Sequence, residues 1–169
     1  GKWGVTITPV KGLNISANVG LMNDNTRYNA LYSKFASGAT SDGQTTVKHS
    51  RIFAVNNQYL AEYKTDFGGT DHNFDILVGY EGYKLKSQSL SGQNDHLFSP
   101  FIGELNNADG KANQYANSNT TNYMTQGILS RAQYNYGEKY FVSASYRRDA
   151  SSRFHKKNRW GNFGSIGGA

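Results

Sequence analysis

The chain of 169 residues contains no cysteine and only two prolines. Without cysteine it can form neither a disulfide framework nor a cysteine-based zinc site. It also has no run approaching the roughly 18 consecutive apolar residues that indicate a membrane-spanning helix. These absences exclude a disulfide-stabilised scaffold and a helical membrane protein. The mean hydropathy of -0.68 does not exclude a membrane β-barrel, because the strands of such barrels alternate apolar and polar residues.

Acidic residues are also scarce, with Asp and Glu at 12 against Lys and Arg at 18, which gives a net charge of +6. A nucleic-acid-binding protein would gather its cations on one element, with aromatic side chains between them. Here the cations cluster only at Arg147-Arg148 and from Arg153 to Arg159, around one predicted loop. We interpret this cluster as a solvated loop and predict no nucleic-acid partner.

Signatures of catalysis and of metal binding are equally scarce. There is no G-x-S-x-G nucleophile elbow, and the histidines are scattered without a partner two or four residues away. Asn106 to Gly110 is similar to part of a calcium loop but lacks the spacing and closing Glu of an EF-hand. The sequence therefore predicts no enzyme and no cofactor, and a calcium ion in this outer loop is an unsupported alternative. Nothing singles out a catalytic carboxylate pair among Glu62, Asp75, Glu81 and Glu104.

Aromatic residues, glycine and a period-two alternation are what the sequence has in abundance. Aromatics make up 14 % of the chain, and Gly reaches 19 residues. In "YFVSASYR", Tyr140 to Arg147, the apolar residues Tyr140, Val142 and Ala144 point to one face of the predicted strand. The residues that alternate with them point to the other face, and the last two of these are Ser145 and Arg147. In a soluble sheet the apolar face of such a strand meets a core. In an outer-membrane barrel it meets lipid, and the polar face meets an aqueous lumen.

The lengths of the connections favour the barrel. Short turns at 9–12, 68–71 and 137–139 alternate with long polar stretches at 23–50, 91–122 and 150–158. A compact soluble domain rarely contains two structureless loops of this length, whereas barrels have short periplasmic turns and long extracellular loops. We therefore predict an all-β fold, an antiparallel meander of long strands forming an arc of a large transmembrane β-barrel. The predicted strands are 5–7, 13–21, 51–67, 72–90, 123–136, 140–149 and a partial strand at 160–166.

The alternation also predicts which side chains share a face, although a register error of one residue would exchange the two faces. Tyrosines near strand ends are expected to form an interfacial girdle. These girdle residues are Tyr63, Tyr80, Tyr134, Tyr136 and Tyr140. The lumen-facing candidates are Asn56, Gln58, Glu62, Lys64, Arg131, Gln133, Ser143, Ser145 and Arg147, and the lipid-facing candidates are Val55, Tyr59, Tyr63, Ile76, Val78, Val142, Ala144 and Tyr146.

The residues from Tyr134 to Ala169, "YNYGEKYFVSASYRRDASSRFHKKNRWGNFGSIGGA", carry a family likeness. They resemble the late barrel region of SusC/RagA-type TonB-dependent outer-membrane transporters. The motifs are Lys-Tyr after a turn, Arg-Arg-Asp, Ser-Ser-Arg-Phe and Asn-Arg-Trp-Gly, the last at Asn158 to Gly161. The family's Pro after Trp-Gly is missing, since Phe163-Gly164-Ser165 stands there. Val10 to Gly20 and Phe67 to Glu81 look like earlier hairpins of the family.

The resemblance implies that residues 1–169 form a partial β-barrel domain of a longer chain, without the plug and the TonB-contacting segment. It implies location in the bacterial outer membrane and import of oligosaccharides or peptides, driven by TonB and the proton-motive force. The implied partners are a SusD-like surface lipoprotein, TonB through the absent N-terminal part, and outer-membrane lipid. Lumen-facing residues and residues that touch substrate or lid are expected among Arg131, Arg147, Arg148, Asp149, Arg153, Phe98, Phe101 and Tyr115. For the arginines and Asp149 we favour a structural network of salt bridges and hydrogen bonds over such contacts.

The alternative to a transporter is a soluble, surface-exposed β-sandwich that binds carbohydrate through aromatic side chains in its loops. Such a module needs its own core between two sheets, with covered or protected edge strands. The barrel interpretation instead requires a single sheet whose outer strands continue to further neighbours.

Overall fold

The computed structural model describes residues 1–35, 42–69, 71–109 and 114–169, and nearly all of them belong to strands or the turns between strands. The strands form one seven-stranded sheet in the order β1-β2-β3-β4-β5-β6-β7, so that each strand lies beside its neighbour in sequence. The pairs β1–β2, β5–β6 and β6–β7 are antiparallel. The strands are β1 Lys2–Val10, β2 Leu13–Tyr32, β3 Gln44–Thr65, β4 His72–Asp95, β5 Tyr115–Tyr136, β6 Tyr140–Ser151 and β7 Trp160–Gly168. This confirms the predicted antiparallel meander of long strands.

The short connections form where backbone geometry allows a tight reversal. Between β5 and β6, Gly137 and Glu138 have φ values of 57° and 56°. Two successive positive φ values match a type I′ turn, whose twist suits the flanking strands. The Lys139 amide donates to the Tyr136 carbonyl at 3.0 Å, and the Asn135 side chain accepts from the Glu138 amide at 3.0 Å. The Asn135 side chain thus supports a left-handed conformation at Glu138. In the β3–β4 turn, Thr70 lies outside the described residues.

Strands β2 to β5 extend well beyond their predicted ends. The stretches 23–50 and 91–122 were predicted to be loops, but 23–32, 44–50, 91–95 and 115–122 are strand. That part of the prediction is wrong. Most side chains from 23 to 32 and from 115 to 122 are exposed, so neither face imposes an apolar alternation on the sequence. Backbone hydrogen bonds to neighbouring strands stabilise these segments, and such bonds require no particular side chain.

The chain divides into two compact units. The first comprises 1–22, 54–85 and 123–169, and the second comprises 23–53 and 86–122. Of the described residues, the buried hydrophobic side chains are Ala54, Leu97 and Ala150, whereas Val142 is 52 % and Ile166 is 87 % exposed. A sandwich would bury such side chains between two sheets. The single sheet therefore contradicts the sandwich alternative.

In the second unit, the connection between β4 and β5 is organised by one buried amide. The Asn107 Nδ2 donates to the carbonyls of Ser99 and Ile102 at 2.7 and 2.8 Å, and its Oδ1 accepts from the Ser99 amide at 3.1 Å. Leu97 is 6 % exposed and pairs with Ala108 in an isolated bridge. Phe98 and Phe101, in contrast, are 70 % and 87 % exposed. Polar bonds therefore order this connection while its aromatic rings remain in solvent.

No described helix has the length and apolar character needed to cross a bilayer. The helical element is one 3₁₀ turn, Lys156–Asn158, just before β7.

Replacing Asn107 with Ala should loosen the β4–β5 connection, because three hydrogen-bond partners lose the same side chain. We expect a local loss of about 1–3 kcal/mol, the cost of leaving buried polar groups unpaired. The measurement is amide hydrogen exchange and limited proteolysis across 97–109. The exposed neighbour provides the matched control, since Asn106→Ala removes an amide without buried bonds. Equal protection in both variants would contradict the role given to Asn107.

Candidate functional site

The strand register separates the side chains of the first unit onto two faces. Ser143 pairs with Gln133 and Gly167, and Ser145 pairs with Arg131 and Ser165. Residues paired directly across antiparallel strands point to the same side of the sheet. We call this side the polar face; its members in the last three strands include Arg131, Gln133, Ser143, Ser145, Arg147, Asp149 and Ser165. The opposite side, which carries Tyr134, Val142, Ala144 and Tyr146, is the aromatic face.

A chain of hydrogen bonds crosses the polar face. The Asn18 amide donates to Gln58 at 3.3 Å, and the Gln58 amide donates to Glu81 Oε1 at 2.8 Å. Arg147 donates from Nη2 to Glu81 Oε2 at 3.1 Å, and from Nε to both Asp149 oxygens at 2.9 and 2.8 Å. One guanidinium thus bridges two carboxylates. Because β5 lies between β4 and β6, the Arg147 side chain reaches across a whole strand to contact Glu81.

A glycine on β5 makes room for this bridge. Gly127 pairs with Asp149 in the register, and a Cβ at Gly127 would collide with the Asp149 carboxylate. Gly127 is buried although it has no side chain, which shows how closely Asp149 covers it. Any larger residue at this position would displace Asp149 from the Arg147 guanidinium.

A second ionic cluster lies on the same face, closer to the short turns. Lys64 Nζ is 2.9 Å from Glu62 and 3.7 Å from Asp75 Oδ2, and Arg131 Nη2 is 3.8 Å from the same Asp75 oxygen. Asp75 Oδ1 and Arg131 Nε are buried and have no hydrogen-bond partner among the described residues. Buried polar atoms in native proteins are normally hydrogen-bonded. We therefore expect water or a further polar group to bind to these two atoms.

Two concave regions of the first unit accompany these clusters. One, of about 1000 Å³, is lined by Gln58, Glu81, Arg147, Asp149 and Phe154, among others. The other, of about 1030 Å³, is lined by Lys64, Asp75, Gln133 and Ser143, among others. Hydrogen-bond donors and acceptors, including positively and negatively charged side chains, therefore line both concavities. Such a surface can hydrogen-bond a polar molecule, but it contains no arrangement of nucleophile and base.

The predicted site residues do not all lie together. Arg131, Arg147 and Asp149 lie on the polar face, as described above. Arg148 pairs with Asn162 and lies on the aromatic face, with its guanidinium 4.8 Å from the centre of the Trp160 ring. Strand alternation alone separates it from Arg147, so Arg148 does not belong to the cluster that the Arg-Arg-Asp motif suggested.

The other predicted residues occupy different places. Arg153 lies 4.6 Å from the centre of the Tyr123 ring, and Tyr123 contacts Tyr83 edge to face. Phe98, Phe101 and Tyr115 belong to the second unit and are exposed. Contact of any of these residues with substrate or lid stays a prediction. The calcium prediction also stays one. Asn107 donates and accepts within its own connection, and Gly110 lies outside the described residues.

The sequence did not reveal that Glu81 links the polar face together. Glu81 was one of four undistinguished carboxylates, and its partner Arg147 is far away in the chain. The alternation of side chains along each strand was the one signal in the sequence that could have revealed this link. It places Gln58, Glu81 and Arg147 on the same face only when the register between their strands is known.

Aromatic rings gather on the opposite face near the short turns. His72 lies 4.7 Å from Tyr136, and Tyr136 stacks on Tyr140 at 6.4 Å between ring centres. The His72 ring also forms a hydrogen bond of 2.7 Å with the Tyr134 hydroxyl. The strand-end tyrosines of the last hairpin thus form one cluster, as a girdle requires.

Comparison with known proteins identifies relatives of this chain. It is 23% identical over 157 residues to TonB-dependent receptor P3 of Formosa agariphila, and the match covers 92% of the chain. The RagAB peptide transporter structure aligns with 99% of the chain at a TM-score of 0.90 and 24% identity. The chain is thus similar in sequence to TonB-dependent receptors. This confirms the resemblance drawn from the Tyr134–Ala169 motifs.

Further comparisons agree with this assignment. TonB-dependent receptor P39 of the same organism is 35% identical over 66 residues, or 39% of this chain. The RagAB peptide importer in the 'closed-closed' state aligns with a TM-score of 0.91. No family model matches the chain. The chain spans only 16% of receptor P3 and 19% of the RagAB chain, so it matches a small part of the length of each.

Replacing Gly127 with Ala should destabilise the polar face by about 1–3 kcal/mol, the usual cost of overpacking a close contact. The measurement is urea unfolding in detergent micelles, followed by tryptophan emission. Gly164→Ala is the matched control, since a Cβ there meets only the Ser145 carbonyl at an ordinary 3.7 Å.

A second variant separates the collision from a general effect of Ala at position 127. Asp149→Ala removes the carboxylate that the new Cβ would meet, so the loss caused by Gly127→Ala should shrink markedly in the Asp149→Ala background. Additive effects of the two changes would contradict the close contact.

Proposed function

We propose that this chain forms part of the wall of an outer-membrane transporter barrel, with the polar face toward an aqueous lumen and the aromatic face toward lipid. The observation that carries the proposal is the separation of the two faces. Paired charges and amides line one side, while tyrosines, Val142, Ala144 and Ile166 lie on the other. Barrels of the outer membrane have the same alternation, polar inward and apolar outward.

Energetics favour this orientation of the sheet over its reverse. The polar face carries Glu81, Arg147, Asp149, Lys64 and Asp75, several of them half exposed. Basic side chains at the lipid-facing midplane of a barrel cost about 2–4 kcal/mol each. Tyrosine and Trp, in contrast, are stable at both membrane interfaces. Turning this sheet around would place these five charged groups on the lipid side and the tyrosine cluster in water.

The cargo we propose is an oligosaccharide or a peptide, taken up in a TonB-dependent cycle driven by the proton-motive force. The family relationship supports uptake, and the RagAB structures are described as a peptide transporter and importer. The amides, carboxylates and guanidinium groups of the polar face suit both kinds of polar oligomer. The proposed partners are a SusD-like surface lipoprotein and TonB, with no covalent chemistry in this segment.

Single cysteines provide a direct test, because the chain has no cysteine of its own. Ser145→Cys and Ala144→Cys place adjacent thiols on opposite faces of β6. In the protein reconstituted in lipid nanodiscs, we expect a water-soluble maleimide to label Cys at 145 at least tenfold faster than at 144. A fluorophore at 144 should be quenched by brominated lipid, and one at 145 should not.

A second pair on β7 repeats the comparison, with Ser165→Cys on the polar face and Ile166→Cys on the aromatic face. Equal labelling at all four positions, without lipid quenching, would show that both faces are in water and would overturn the membrane wall. Quenching at 145 and 165 would show that the faces are reversed. Cooperative folding of the chain in plain buffer as a monomer would also contradict the proposal.

A further inference from the structure

Arg148 is a cation of the first unit that lies on the aromatic face. Its guanidinium stacks on Trp160, which is 42 % exposed. In the part of the chain that the structure describes, no ion pair joins Arg148 to a carboxylate, whereas Arg147 contacts both Glu81 and Asp149. On the proposed function, this unpaired cation faces the membrane, where an isolated charge is costly unless it meets an anion or the polar interface.

The position of Arg148 along β6 corresponds to the second interface of a bilayer. The stacked Tyr136–Tyr140 pair marks the end of the strand at the short turn. Eight residues separate Tyr140 from Arg148, which is about 27 Å at ~3.4 Å per residue. With a strand tilt of about 40°, the rise is roughly 20 Å, close to the ~25 Å apolar band of such barrels. Arg148 and Trp160 therefore lie at headgroup level, near the long β6–β7 connection.

A second donor lies beside the guanidinium. Asn162 pairs with Arg148 across β6 and β7, so the two side chains leave the same face next to each other. The Tyr146 hydroxyl donates to Asn162 Oδ1 at 2.8 Å, which holds the amide and leaves its Nδ2 hydrogens directed elsewhere. A planar guanidinium and an amide NH₂ can both donate hydrogen bonds to the oxygens of one phosphate group.

The charge of the surrounding chain favours an anion. From 150 to 169 there is no Asp or Glu, while the connection after β6 contains Arg153, Lys156, Lys157 and Arg159. Asp149, the nearest acid, is held by Arg147 on the other face. The chain that follows Arg148 is thus rich in cations, and cations near a membrane surface attract its anionic headgroup layer.

We propose that Arg148, Asn162 and Trp160 form a binding site for a phosphate group of an outer-leaflet lipid. The guanidinium and the Asn162 amide bind the phosphate oxygens, and the Trp160 ring holds the guanidinium plane against the barrel wall. The site anchors the lipid at the rim of the sheet and fixes the depth of β6 and β7 in the membrane. It rests on the proposed function, since the aromatic face must meet lipid.

Native mass spectrometry of the protein in detergent provides the test, with lipid A and its dephosphorylated form as the probes. We expect retained lipid A on the unaltered protein, at least tenfold less on Arg148→Gln, and no retention of the dephosphorylated form. Arg148→Lys should give an intermediate result, because it keeps the charge but loses the planar fork. Lys139→Gln is the matched control, a cation removed at the opposite end of β6, and it should retain lipid A fully.

Equal retention by Arg148→Gln and the unaltered protein would overturn the site, as would equal retention of the two lipids. Displacement of lipid A by millimolar inorganic phosphate would show a simple anion site and would also contradict lipid anchoring. The nanodisc labelling described above keeps the two proposals apart. Lipid quenching at 144 without a phosphate preference refutes only the lipid site, whereas absence of quenching refutes the membrane wall itself.

Discussion

Hydrogen bonds between neighbouring strands are the interaction on which this structure depends. A single sheet with almost no buried apolar side chain cannot be held by a core of its own. Each backbone bond contributes only about 0.5–1.5 kcal/mol net in water, but in hydrocarbon an unpaired backbone group costs several times more. Antiparallel pairing provides the backbone groups of neighbouring strands with partners and requires no particular side chain. The side chains on the two faces can therefore differ in polarity without changing how the strands pair.

The polar face is cross-linked by charge as well as by the backbone. Arg147 spans β5 to join Glu81 and Asp149, and Gln58 carries the chain of bonds toward Asn18. Such pairs are half exposed and individually weak. Their effect is to fix side-chain positions along a surface that polar molecules would pass. The aromatic face achieves its order differently, by ring contacts such as Tyr59–Tyr80 and by the Arg148–Trp160 stack.

Much of the fold could be predicted from the sequence, and the exceptions have identifiable causes. The alternation at 140–149 gave β6 nearly to the residue, and the turn at 137–139 was placed correctly, whereas Pro9 and Val10 of the predicted turn 9–12 belong to β1. The strand extensions at 23–32 and 115–122 were missed because both of their faces are exposed, which removes the alternation. In the candidate site, Arg131, Arg147 and Asp149 lie on one face of the sheet, while their contact with substrate or lid stays a prediction. Arg148 was grouped with them because it is next to Arg147 in the Arg-Arg-Asp motif. Adjacent residues of a strand, however, point to opposite faces of the sheet.

The sequence by itself predicted the fold class and showed the resemblance to TonB-dependent transporters, since period-two alternation and the motifs from Tyr134 to Ala169 are local features. It also determined that no cysteine chemistry takes part. Only the tertiary structure decided which charges meet. Glu81 and Arg147 are 66 residues apart in the chain and come together at 3.1 Å only because β4, β5 and β6 pair in one register. The same register places Arg148 beside Trp160, where no carboxylate of the described residues pairs with it. Pairing between distant strands is a non-local property, and a shift of one residue would have reversed both results.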